Sequence, residues 1–219
     1  MTSGGVVPSA PDGAAQPHAA DAPAHVLGPE WRPGPDGLLF RRGARVILLD
    51  DADRVLLLRG HDADEPARTW WFTVGGGIDD GEDERAAAVR EVLEETGLVL
   101  AAHELQGPVF TRSAIFDFFA RTCRQDEVFF LARIEAAGAL STAGWTDVER
   151  RVVDDLRWWA LDELARVTEE VYPAGLAELV AGLLGGWDGR TRHLGLASSL
   201  RRPLPPGPDP VAGASDVAT

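Results

Sequence analysis

The chain has 219 residues, 45% of them hydrophobic, and its 35 acidic against 21 basic side chains leave a net charge of -14. That length allows one domain of ordinary size with tails. The acidic balance argues against tight non-specific nucleic-acid binding, which needs a basic footprint.

Residues 1–27 are rich in Ala, Pro, Gly and Asp without periodicity and read as a disordered tail. They lack the basic and apolar regions of a secretory signal. Residues 28–40 set Trp31, Leu38, Leu39 and Phe40 among prolines and glycines, as an arm or edge strand would, and this arm is a candidate swapped element in a homodimer. Ala44–Leu49 and Arg54–Arg59 are apolar runs joined by Asp50-Asp51-Ala52-Asp53, which reads as a hairpin. A polar loop, His61–Arg68, leads to a third strand, Trp70–Val74, which ends in Gly75-Gly76-Gly77. Asp83 is placed to N-cap a helix over Glu84–Thr96, with Gly97 at its C-cap.

Leu105–Thr111 reads as a strand, and Phe116–Phe119 with Glu127–Ile134 as a strand pair around a polar turn, Arg121–Asp126. That turn holds the single cysteine, Cys123, so an intramolecular disulfide and a cysteine zinc site are both excluded and a reducing cytoplasm fits. Leu156–Ala160 is a strand leading into a short helix at Leu161–Val167, and Pro173–Leu184 reads as a second substantial helix. The main domain spans 41–186; residues 187–219 form an extension that reads as mostly disordered. No stretch approaches the ~20 apolar residues of a membrane helix. The order of elements predicts an α/β fold, an α/β/α sandwich with helices on both faces of a mixed sheet.

The chemistry is concentrated at 76–98. Glu91, Glu94 and Glu95 stand at i, i+3 and i+4, on one face of the predicted helix. Like charges so placed repel, and a hard divalent cation reverses the sign of that energy. The natural substrate of such a cation is a phosphate. Arg90 is four residues before Glu94 and can reach back to Glu82, while Ala88, Val92 and Thr96 form the strip that faces the sheet. The glycines let backbone groups approach a ligand closely.

This segment resembles the Nudix box, Gly-x5-Glu-x7-Arg-Glu-U-x-Glu-Glu-x-Gly-U with U bulky and aliphatic. Gly76, Glu82, Arg90, Glu91, Val92, Glu94, Glu95, Gly97 and Leu98 fill its nine fixed positions. Trp71–Gly77 resembles the family's entry strand, with Val74 where many members have proline, and Arg157–Leu164 its late strand-to-helix corner; the resemblance covers roughly 40–186. It implies a Mg²⁺- or Mn²⁺-dependent hydrolase of a nucleotide-type small molecule, a nucleoside triphosphate or an ADP-ribose-like compound. It further implies Glu91, Glu95, Glu94 and the Gly75 carbonyl as metal ligands, Glu94 also as part of the base system, and Gly76, Glu82, Arg90 and Gly97 as the structural frame. Many members use a further glutamate outside the box. Glu127 is the first candidate, with Glu104, Asp117 and Asp126 as rivals, and Arg112, Arg121 and Arg124 are candidates to clamp phosphate.

Overall fold

A computed structural model describes residues 27–28, 30–119, 121–134 and 139–200. The expected N-terminal tail, apart from Leu27, lies outside the described residues, as does the stretch from 201 onward.

The described strands form a single sheet: β1 (Arg32–Pro33), β2 (Leu39–Leu49), β3 (Val55–His61), β4 (Thr69–Gly77), β5 (Gln106–Phe118), β6 (Arg121–Arg133), β7 (Val153–Trp159), β8 (Glu170–Tyr172) and β9 (Arg192–Ser199). The order is β7-β3-β4-β2-β6-β5-β9, with β1 on β2 and β8 on β4. The sheet is mixed: β2 runs parallel to β6, β4 to β8 and β5 to β9, and the other pairs are antiparallel. Alternation along the strands divides their side chains between two cores. Ala44, Val46 and Leu48 of β2 and Phe130 of β6 join Ala87, Ala88 and Val92 of helix α1 (Glu84–Thr96). Ile47, Leu49, Phe129 and Leu131 point the other way and meet Leu164, Leu176 and Val180. Those come from two short helices, α3 (Leu161–Leu164) and α4 (Leu176–Ala181), which follow the single helical turn of α2 (Glu149–Val152). Helices therefore cover both faces, as the pattern of elements predicts. Among the described residues, no helix is long and apolar enough to cross a membrane.

Helix α1 has the predicted bounds and caps. The Asp83 side chain accepts a hydrogen bond from Arg85 N–H at 2.9 Å, and Gly97 takes a left-handed conformation, φ 72°. Four expectations are corrected. Arg121–Asp126 is not a turn: β5 and β6 are one long hairpin that reverses just after Phe118, because the polar residues there alternate along a strand. The second large helix shrinks to Leu176–Ala181, since Glu170–Tyr172 of the approach pairs with β4 instead. The extension after 186 holds an ordered strand, β9, which covers the edge of β5. The boundary between arm and domain falls inside β2, which runs unbroken from Leu39, with Arg32 and Pro33 opposite Phe40 and Leu39.

Glu169 ties the edge of the sheet together. Its carboxylate accepts hydrogen bonds from Trp71 Nε1 at 2.6 Å, Thr69 Oγ1 at 2.8 Å and Arg59 Nη2 at 2.6 Å. The Arg59 bond is the main reason its pKa falls to about 2. A depressed carboxylate contributes stability above its ordinary pKa and loses it as the pH falls towards the folded value. Glu169→Gln should therefore be less stable than the wild type near neutrality. The difference should narrow as pH is lowered from about 5 to about 3, measured by urea unfolding across that window.

Candidate functional site

The site forms where α1 lies against the glycines of β4. Glu91 and Glu95 sit on the inner side of the helix and are only 7% and 3% exposed. They fit because the strand is bare. A Cβ on Gly76 would stand 2.7 Å from the Glu91 carboxylate, and Gly75 N–H donates to Glu95 Oε2 at 2.6 Å. Gly75 itself has φ 124°, and a side chain there would collide with the carbonyl of Ala44.

Arg90 locks the loop to the helix. Its Nε and Nη2 donate to the two oxygens of Glu82, each at 2.9 Å, and Nη2 also donates to the Gly77 carbonyl at 2.8 Å. Its Nη1 donates to Glu91 at 2.9 Å and Glu94 at 3.1 Å. The fork-on-fork geometry holds Glu82 below the usual carboxylate range. Gly97 ends the helix as described above.

A third carboxylate joins the two buried ones. Glu149 brings an oxygen into a group with Glu91 and Glu95 in which the three ligand atoms lie within 4.8 Å of one another. The segment before it is fastened to the last turn of α1. Ser141 N–H donates to the Thr96 carbonyl and Trp145 Nε1 to the Glu95 carbonyl, both at 2.8 Å. Thr146 then orients the acid, donating to Glu149 Oε2 from its backbone N–H at 2.6 Å and its hydroxyl at 2.7 Å. Sequence reasoning missed Glu149. The signal available was Thr146-x-x-Glu149, a helix-start pattern that carries no hint of ligation.

Burial outweighs the nearby positive charge and governs the electrostatics. Desolvation pushes the Glu91 carboxyl up to about 7, against the pull of Arg90. It pushes Glu95 well above the ordinary range, and the nearby Glu91 charge adds to that shift. With Glu149 they make an all-oxygen donor set of the kind that suits a hard divalent cation. The set thus differs from the one expected from sequence. Glu94 is outside it, on the exposed side of the helix against Arg90, and the Gly75 carbonyl accepts a hydrogen bond from Arg45 Nη1.

Glu127 is not brought to the cluster. It shares the strand face of Phe129 and Leu131, on the opposite side of the sheet from α1. Its carboxylate is held by Arg45 at 3.0 Å, by Gln125 Nε2 at 2.7 Å and by Arg112. Burial raises its pKa, but the two guanidinium groups outweigh that and leave it lowered. The rivals Glu104, Asp117 and Asp126 are also absent from the cluster. Nor do the three candidate arginines converge. Arg112 is committed to Glu127, while Arg121 and Arg124 leave β6 on opposite faces, and Arg124 lies 3.5 Å from Asp36 and 3.6 Å from Asp126. A cleft of about 220 Å³ opens one residue beyond the glycines, lined by Arg42, Ile78, Ser113, Asp126 and, from β9, His193.

A family model described as the NUDIX domain matches residues 39–180. An RNA pyrophosphohydrolase of Dinoroseobacter shibae is 43% identical over 68 residues, 31% of this chain and 41% of its own. An uncharacterized Nudix hydrolase of Bacillus subtilis is 41% identical over 72 residues, 33% of this chain and 41% of its own. The chain spans about two fifths of the length of these relatives. Among solved structures, the NUDIX domain of Shewanella oneidensis NrtR complexed with ADP ribose aligns at 17% identity and a TM-score of 0.49, over 74% of this chain and 94% of that one.

The raised carboxyls make cation uptake proton-linked. Below about 7 the Glu91 group holds a proton that an incoming cation must displace. Affinity for a divalent cation should therefore rise with pH through that value. Calorimetric titrations in buffers of different ionisation enthalpy should register proton release near neutrality; cation binding with no pH dependence would show that these carboxyls are not its ligands.

Proposed function

The chain belongs to the Nudix family, and from that premise we propose that it is a metal-dependent hydrolase that cleaves the pyrophosphate bond of a nucleoside diphosphate derivative, by attack of water on phosphorus. The observation that carries this reading is the convergence of Glu91, Glu95 and Glu149, two of them buried. In this reading they hold Mg²⁺ or Mn²⁺. Such an ion, when bound, neutralises pyrophosphate charge and lowers the pKa of a water.

The chain's own groups do the rest. Arg90 and Glu82 fix the angle between the glycine loop and the helix, so that the carboxylates are oriented before substrate arrives. Glu149 takes the place that the sequence suggests for Glu127. It is the only member of the cluster that is not buried, and a hydroxyl and an amide aim its carboxylate. Glu94, at the open side of the helix, is a second group able to accept the proton of the attacking water. Glu127 supports the site from beneath by holding Arg45 in place, which in turn reaches the carbonyl of Gly75.

The cleft beyond Ile78 suits the nucleoside part, since it begins where the glycine run ends and offers Ser113, Asp126 and His193 as polar contacts. Candidate substrates are nucleoside triphosphates, including oxidised ones, and ADP-ribose-like compounds. The relative named an RNA pyrophosphohydrolase adds RNA with a terminal pyrophosphate bond. A cytoplasmic setting belongs to the same reading.

The test is a hydrolysis screen with Mg²⁺ and with Mn²⁺, read by chromatographic separation of the products, over nucleoside triphosphates, ADP-ribose, dinucleoside polyphosphates, NADH and such an RNA. Glu95→Gln, Glu149→Gln and Glu127→Gln run alongside. The expected result is metal-dependent turnover of one class, reduced about 100-fold or more by Glu95→Gln and by Glu149→Gln. Glu127→Gln should lower thermal stability more than turnover. Cation binding without turnover of any compound would replace the hydrolase with a nucleotide sensor of the same fold.

A further inference from the structure

On the sheet face away from α1, the polar side chains of β2 and β6 form one buried network. Arg45 and Arg112 share the Glu127 carboxylate, and Gln125 links it onward, donating to Glu127 and accepting from Arg41 Nε at 2.6 Å. Three guanidinium groups are therefore set against two carboxylates, Glu127 and Glu30. Among the described residues, the one carboxylate in ion-pair range of Arg41 is Glu30, at 3.3 Å from Nη1. That contact is long and single, far from the two-pronged geometry a guanidinium can make. Burial, and then the like charge of Arg45, disfavour the Arg41 cation.

Glu30 reaches Arg41 from the N-terminal arm, and the backbone makes room for it. A turn closed by Trp31 N–H on the Gly28 carbonyl, at 3.2 Å, carries it. A side chain on Gly28 would collide with its carboxylate, and its Cγ lies 2.7 Å from where a Cβ on Gly77 would stand. Arg41 Nη1 is 3.5 Å from that same point. The Trp31 ring stacks on Arg41 with 4.4 Å to its centroid, and Arg32 pairs with Asp80 in the loop after the glycines. The arm thus holds a carboxylate against a half-buried arginine at Gly77, the neighbour of the glycine that faces Glu91.

We propose that Arg41 is an anion subsite for the phosphate chain of the substrate, and that Glu30 is its resident carboxylate, which phosphate oxygens displace. The assignment rests on the reading that this site takes a pyrophosphate. A phosphate group presents more charge than Glu30 and can engage two prongs of the guanidinium at once. Its arrival balances the arginine network, and Glu30 moves out to water. The bare backbone at Gly77 leaves the space for the exchange, while the Trp31 stack keeps the guanidinium flat and aimed.

Binding of inorganic pyrophosphate to the full chain, measured by calorimetry with a chelator present, tests this without divalent cation and without turnover. Glu30→Gln removes the competing charge from a partly exposed turn and should bind pyrophosphate about tenfold more tightly than the wild type. Adding Arg41→Lys, which keeps the charge and loses the fork, should cancel most of that gain. A Glu30→Gln protein that binds no more tightly than the wild type, or one whose gain survives Arg41→Lys, overturns the proposal. The outcome is separate from that of the substrate screen. An active hydrolase with no Glu30 effect loses only the subsite, and a tightened anion site in a protein that hydrolyses nothing loses only the hydrolase.

Discussion

The structure depends on the close approach of one helix to one run of glycines. Glu91 occupies the volume that a side chain on Gly76 would take, and Glu95 receives the amide of Gly75. That seating fixes the rotation of α1 about its axis. Ala88, Val92 and Thr96 are then turned into the core, and the Arg90 face is turned towards Glu82. A side chain on Gly76 would displace Glu91 and lift the helix, while one on Gly75 would collide with β2 at the Ala44 carbonyl. The same contact buries two acids with no full counter-charge, a state that a proton or a cation relieves. Packing and ligand affinity are thus expressed through the same few atoms.

A second feature is the separation of charge between the faces of the sheet. The α1 face holds Glu91, Glu95 and Glu149 and the other face holds Arg41, Arg45 and Arg112 around Glu127, with the glycine backbone of β4 and the start of β2 between them. A charged phosphate with its cation needs both signs within a few ångströms. Arg45 joins the two sides directly, since it pairs with Glu127 on one and reaches the Gly75 carbonyl beside Glu95 on the other.

The helix was legible in the sequence because several independent signals agreed. Asp83 and Gly97 marked its ends, the 3.6-residue spacing set its inner strip, and the acids fell on one side. Glu149 was not legible, because it arrives through contacts of Ser141 and Trp145 with the backbone of α1, and such contacts leave no periodic trace. Glu127 opens an apolar run and looks poised at a strand entry. Its face is decided by a register that the sequence does not encode locally, and alternation with Phe129 sends it away from α1. Residues Arg121–Asp126 looked like a turn because they are polar. In the fold they alternate along a hairpin arm, where Asp126 takes a hydrogen bond from Ser113 across the ladder at 2.7 Å. Strand β9 went unseen because its Leu-Gly-Leu-Ala-Ser-Ser core has weak strand character and gains its shape from β5.

That last strand bears on how the protein is made. β5 pairs with β6 on one side and with β9 on the other, and β9 lies some 80 residues further along the chain. During synthesis the outer edge of β5 stays open while the rest of the sheet is already outside the ribosome. An open edge invites pairing with another chain. The nascent domain therefore passes through an interval in which helix α1 can be seated while its flank is still sticky, and the arrival of residues 192–199 closes that interval.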